Sequence, residues 1–354
     1  MKRIFLALLI TISASPLFSQ AELPYLPTAP PAEVGFNEDS LSNLIDLISD
    51  TPPRDFRGLI VIKDDKLVVE EYFHTFWRTS LTDIRSAGKS ITALLMGVAL
   101  QQGLVKSVDD RAYDYLEIEP PTQAHAQIKI RHLLSMSAGY DADSDDGDTP
   151  GQAGQWMGLD DWTSYIQNVP MARKPGDRWV YGDLNSQLVG TIIENTSGMS
   201  LTDFARKHLF GPMDIREYFW QQSAAGSTVA SGNLFLTALD FAKFGWLTLN
   251  KGKWQGEQLI SEAYVNEMIG KQIEIPADYF GFPVDYGYLW YTRTRTMAGR
   301  EVTYHYASGN GGNYIIVIPE ENMVISLVST AYGPYHGHGR SMRIFEILME
   351  ALKR

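Results

Sequence analysis

Ser86-Ala-Gly-Lys89-Ser-Ile-Thr-Ala-Leu-Leu-Met-Gly-Val-Ala-Leu100-Gln-Gln-Gly103 turns apolar on every face after its first turn. A long helix without a polar stripe, in a chain of ordinary globular composition, is the buried axis of a domain, and Gly103 is placed to end it. Its opening turn also carries chemistry. Positions i and i+3 share a helix face, so the Lys89 amine can reach the Ser86 hydroxyl. A serine hydroxyl is a weak nucleophile until a neighbouring base takes its proton. Lysine can be that base when burial or another cation lowers its pKa, and the apolar helix body supplies burial. Ser86 also stands where free N–H groups and the helix dipole favour a developing oxyanion. A plainer alternative stays open on these residues alone: Ser86 caps the helix, and Lys89 runs its stem to the surface. No other serine is followed by lysine three residues on.

Nearby patterns can be set aside. Gly88-Lys89-Ser90 looks like the end of a phosphate-binding loop, but that loop needs glycine five residues before Gly88, where this chain has Asp83. Neither G-x-S-x-G nor H-E-x-x-H occurs.

Outward from this helix, strand signals lie towards both ends. Asn37 can cap a helix from Glu38 to about Ser49, with Leu41, Leu44, Ile45 and Ile48 on one face. Gly58 to Lys63 and Lys66 to Phe73 flank Asp64-Asp65, which predicts a hairpin. Glu301 to Ala307, Asn313 to Pro319 and Met323 to Ser329 are β-rich, and Ser341 to Lys353 is an amphipathic helix. The middle, to about residue 275, is dominated by helical stretches and polar loops. An α+β fold follows: an antiparallel sheet built from both termini, flanked by helices, with a mainly helical domain inserted. The boundaries expected are 22–85 plus 281–354 for the sheet domain and 86–280 for the helical one, with the active site at their interface.

Two further segments could join Ser86 and Lys89. Trp179-Val-Tyr181-Gly-Asp183-Leu-Asn185 follows a Lys174-Pro-Gly-Asp177 turn. A loop tyrosine can relay a proton if ammonium groups stabilise its phenolate, although a packed aromatic is the blander reading of Tyr181. Ala307-Ser308-Gly309-Asn310-Gly-Gly-Asn313 precedes a strong strand. Small residues on an edge strand admit a substrate backbone and leave N–H groups for an oxyanion; a glycine bulge is the alternative.

These three sites, in this order and spacing, resemble the serine β-lactamase and penicillin-binding protein superfamily. The nearer likeness is to the class C β-lactamase-like branch, with its family VIII carboxylesterases, D-aminopeptidases and 6-aminohexanoate-dimer hydrolase. Ile130-Arg-His-Leu-Leu-Ser-Met-Ser-Ala-Gly139 resembles a further family segment, with Ala138 in place of the usual serine. The resemblance puts the nucleophile on Ser86, the base on Lys89 and the Y-x-N tyrosine on Tyr181. Asp183 stands where asparagine is usual, with Asn185 close by. The K-T-G element falls on Ala307-Ser308-Gly309, without its lysine. The oxyanion hole is implied at the Ser86 N–H and one near Asn310. It implies a serine hydrolase cleaving esters or amides, with no metal and no cofactor. The alternatives are a β-lactamase, DD-peptidase or D-aminopeptidase acting on β-lactams or cell-wall peptides, and a non-catalytic sensor of the same fold. Losing the lysine that holds an antibiotic's carboxylate favours esters and amides over β-lactams.

The remaining features bound the setting. Lys2 and Arg3 precede the apolar run Ile4 to Ile12, and Ser19-Gln-Ala21 offers a small-x-small cleavage site. This reads as a signal peptide over 1–21, a secreted or periplasmic location and no stable membrane anchor. There is no cysteine, so thiolate chemistry and disulfides are excluded. A net charge of −12 argues against nucleic acid or anionic lipid and leaves a small ester, amide or peptide as partner. The acidic loop Asp141 to Pro150 lacks the terminal glutamate of a calcium loop and is read as solvated. His132 is read as structural, His305 as facing the site or away from it, and His336 with His338 as a surface loop rather than a metal pair.

Overall fold

The computed structural model of the chain describes residues 26–333 and 335–353. The expected signal peptide, 1–21, lies outside them. Asn37 caps α1 (Glu38–Asp50), its side chain accepting the Ser40 N–H at 2.9 Å, and Leu41, Leu44 and Ile48 are buried. β1 (Phe56–Lys63) and β2 (Lys66–Tyr72) follow as the hairpin. Asp64 and Asp65 between them both adopt positive φ, 53° and 57°, the turn whose twist matches that of the strands it joins.

The longer elements that follow are α2 (Gly88–Gln101), α3 (Asp183–Ser197) and α4 (Ala238–Leu249). Then come β3 (Ile273–Ile275), β4 (Val284–Tyr286), β5 (Tyr291–Met297), β6 (Arg300–Gly309), β7 (Asn313–Ile318) and β8 (Met323–Ser329), before α5 (His336–Ala351). One antiparallel sheet runs β2-β1-β8-β7-β6-β5-β4-β3. Its central strands are buried throughout because helices cover both faces. Successive residues of β7 show this: the Tyr314 hydroxyl meets His338 of α5, whereas Ile315 faces Gly245 of α4. The two ends of the chain close on each other. Asn37 N–H donates to the Ala351 carbonyl at 2.8 Å, and Phe36 bridges Leu352.

The α+β architecture expected from the sequence is the one observed, with two differences in detail. The sheet reaches into the segment assigned to the helical domain, since β3 lies within 86–280 and α4, from the same segment, packs on β1, β7 and β8. Three-residue strands carry no periodicity to read, and their pairing comes from β5 and from each other. Secondly, β6 is interior, between β5 and β7, not an edge. It does overhang: β5 pairs only as far as Tyr306, so Ala307 to Gly309 project past it.

Candidate active site

Ser86 lies in a 3-10 turn, Arg85–Ala87, immediately before α2. Two glycines let backbone close around this turn. Gly309, at the end of β6, abuts the Ile84 carbonyl and the Ala87 N–H with no space for a Cβ. A Cβ on Gly88 would sit 3.2 Å from Gly232 Cα. α2 is buried from Gly88 through Ala99, and Lys89 is 2% exposed, so the lysine does not run to the surface.

Lys89 Nζ lies 3.0 Å from Ser86 Oγ, 2.7 Å from the Ser231 carbonyl and 2.6 Å from Asp183 Oδ1. Three acceptors surround one nitrogen, which suits an ammonium with all three protons placed. Tyr181 completes the surroundings, its ring centroid 5.0 Å from Nζ. Burial pushes the Lys89 pKa down, but the Asp183 carboxylate, with Tyr181, outweighs burial and the net displacement is upward. The sequence expectation that burial would lower this pKa is therefore overturned. An aspartate in place of the usual asparagine supplies the charge that reverses it.

Asp183 opens α3 and is itself held. Its Oδ2 accepts the Ser144 hydroxyl at 3.1 Å, its N–H donates to Ser144 Oγ at 3.1 Å, and Ser144 N–H donates to the Tyr181 carbonyl at 2.8 Å. The acidic loop is thus tied to the site rather than merely solvated; its Asp145 Oδ2 also accepts the Tyr279 hydroxyl at 2.7 Å. A cavity of about 460 Å³ opens over Ser86, with Asp183, Ser231, Asn310, Arg85, Tyr332 and Met157 in its wall.

Comparisons with known proteins bear on the family and the fold. The family model described as Beta-lactamase matches residues 54–348. The chain belongs to the beta-lactamase family. An uncharacterised protein of Alkalihalophilus pseudofirmus is 21% identical over 318 residues, 79% of this chain and 85% of that protein. A provisionally named D-alanyl-D-alanine carboxypeptidase of Escherichia coli is 24% identical over 61% of this chain, which spans only 55% of that relative. Among solved structures, a family VIII carboxylesterase superposes with a TM-score of 0.70 at 16% identity, covering 92% of this chain and 99% of that one. A penicillin-binding protein homologue from Caulobacter crescentus gives 0.70 at 15% identity, covering 89% and 97%. At such identities these structures establish the fold, and the family makes the protein a hydrolase of the serine β-lactamase fold.

Not every residue singled out in this beta-lactamase-family chain reaches the cavity. Ser86, Asp183 and Asn310 line it; Lys89 contacts Ser86, and Tyr181 lies against Lys89 and lines a separate cavity. Asn310 Oδ1 accepts the Gly333 N–H at 2.8 Å. Asn185 does not line it: its amide donates to the Gly182 carbonyl at 3.3 Å, and Oδ1 is buried without a partner among the described residues. Ser308 stands opposite Tyr314 in the β6–β7 ladder, and Gly309 serves close packing on the nucleophile turn. His305 faces away; its Nδ1 lies 2.7 Å from Thr292 Oγ1, and burial brings its pKa to about 4. His132 is likewise pushed to about 4 by burial, its Nδ1 accepting the Lys129 N–H at 3.1 Å. His336 meets Asp55 and His338 meets Tyr314, so the two do not converge. Sequence reasoning missed the Ser231 carbonyl, Ser144 and Arg85. A backbone acceptor leaves no side-chain signature, and the other two carry no motif.

Proposed function

We propose that this protein is an exported serine hydrolase that opens a small-molecule ester or amide through an acyl-enzyme on Ser86. The observation that carries this reading is Lys89 Nζ at 3.0 Å from Ser86 Oγ, in the wall of an open cavity. In the resting arrangement Lys89 donates to Oγ, so it must lose a proton before it can accept one. Neutral Lys89, coupled to Tyr181, then takes the Ser86 proton as Oγ attacks the carbonyl carbon. The oxyanion is held by backbone N–H groups at Ser86 and near Asn310. Collapse expels the alcohol or amine, which Lys89 or Tyr181 protonates, and water releases the acid from Ser86. No metal or cofactor enters this scheme.

The substrate class rests on β6, where Ala307 stands in place of a lysine. The carboxypeptidase name of the Escherichia coli relative favours a second reading, action on β-lactams or D-amino acid peptides. Short 4-nitrophenyl esters, nitrocefin and D-amino acid amides assayed side by side separate the two. Ester turnover with nitrocefin nearly inert supports the first; nitrocefin turnover at a rate comparable with the ester would reverse the preference. If none turns over and Ser86 stays unmodified, a non-catalytic sensor is left. Export is tested by the N-terminal residue of protein recovered outside the cytoplasm, expected to be Glu22.

A further inference from the structure

Arg85, the residue immediately before Ser86, is held in a conformation its side chain does not favour. Its φ is 53°, in the left-handed region that bulky residues rarely adopt. The surroundings fix it there: Asp83 Oδ1 accepts the Arg85 N–H at 2.8 Å, and Ile84 N–H donates to the Leu234 carbonyl at 3.0 Å. Strain of this kind persists where the structure over-determines it, and it concentrates at ligand sites. Here it aims a cation at the cavity over the nucleophile.

The guanidinium is anchored on one edge and one face. Asp83 Oδ2, on a side chain only 7% exposed, forms an ion pair with the guanidinium at 3.1 Å from Nε, out of hydrogen-bond alignment, so the buried Nε has no hydrogen-bond partner among the described residues. The guanidinium carbon lies 4.4 Å from the ring centroid of Tyr332, whose hydroxyl in turn donates to the Asp83 carbonyl at 2.9 Å. The two terminal nitrogens make no hydrogen bond to any described residue. Arg85 lines the same cavity as Ser86, and its side chain is 39% exposed. The other charged residue in that wall, Asp183, is already engaged by Lys89 at 2.6 Å. A rigid, anchored fork with both outer N–H pairs open is the geometry that grips a carboxylate with two parallel hydrogen bonds.

We propose that Arg85 is the specificity-determining residue of this site, selecting esters or amides that carry a carboxylate near the scissile bond. The proposal rests on Ser86 being the nucleophile, and its test separates the two. Two matched pairs of substrates place the carboxylate on either side of the reacting carbonyl. Mono-4-nitrophenyl adipate is compared with 4-nitrophenyl hexanoate, and 4-acetoxybenzoate with its methyl ester. The wild type is expected to prefer the anionic member of at least one pair by tenfold or more in kcat/KM. In Arg85→Asn that ratio is expected to fall close to one; asparagine tolerates the left-handed backbone. Fluorophosphonate labelling of Ser86 verifies that the variant is folded. No preference in the wild type, or a preference that survives in Arg85→Asn, overturns the proposal while leaving the hydrolase reading intact. Turnover of none of the four substrates overturns the proposal when the fluorophosphonate still labels Ser86, and the hydrolase reading itself when it does not. Should Arg85→Asn not fold, the wild type decides: adipate should inhibit competitively at least tenfold better than adipamide, and equal inhibition refutes the role.

Discussion

At Lys89 two influences oppose each other: burial, which favours the neutral amine, and the Asp183 carboxylate 2.6 Å away, which favours the ammonium. The second prevails, and this has a kinetic consequence. If neutral Lys89 is the base, the competent fraction of enzyme grows as pH rises, and a raised pKa puts the rising limb of kcat/KM on the alkaline side. Asp183→Asn removes the charge and leaves the burial, so the limb should move to lower pH. The pH profile of ester hydrolysis checks this, and an unmoved limb would mean that Asp183 does not set the charge of Lys89. Lys89→Ala should lower kcat/KM by about 10²–10⁴-fold while Ser86 stays in place. The Ser86–Lys89 pair was legible because one helical turn fixes its geometry. The sign of the Lys89 shift was not, since it depends on Asp183, distant in sequence and positioned by Ser144 from a third segment.

Among the elements, α4 shows how tightly the helices seat on the sheet. A Cβ on Gly245 would fall 2.5 Å from Ile315 Cγ2 and 2.6 Å from Val324 Cγ1. These are core side chains without room to retreat, so Gly245→Val should destabilise by about 1–3 kcal/mol through overpacking. Urea unfolding would measure this; unchanged stability would mean α4 stands further from β7 and β8 than described. Strand runs such as Asn313 to Ile318 were readable because they are continuous and β-branched. β3 and β4 were not, at three residues each, and the overhang of Ala307 to Gly309 depends on where β5 begins.

Across the whole molecule, a polar cluster joins the segment before β1 to the last helix. Asp55 accepts hydrogen bonds from His336, at 2.9 Å, and from Arg340, and Arg340 Nη2 also donates to Ser329 Oγ at 2.6 Å. Burial pushes the Asp55 carboxyl up, but these two partners together hold it below its ordinary value. A folded-state pKa below the unfolded one stabilises above the unfolded value, near 3.8, and the contribution fades as pH falls through the folded value. Asp55→Asn should therefore cost about 1 kcal/mol at neutral pH, allowing for screening at a partly exposed site, and less in acid. Unfolding of wild type and variant at pH 7 and pH 3 tests this; a difference that does not shrink in acid would contradict it. That strands from both ends share one sheet was evident in the sequence, whereas the placing of α4 on that sheet depends on packing no local pattern records. The chemistry of the whole molecule stands on Ser86 as an activated nucleophile. Its most direct test is intact-mass and peptide analysis of the folded protein after treatment with a fluorophosphonate. One adduct per chain is expected, on the peptide containing Ser86, and none in Ser86→Ala. An unlabelled folded wild type, or an adduct on another residue, would contradict it.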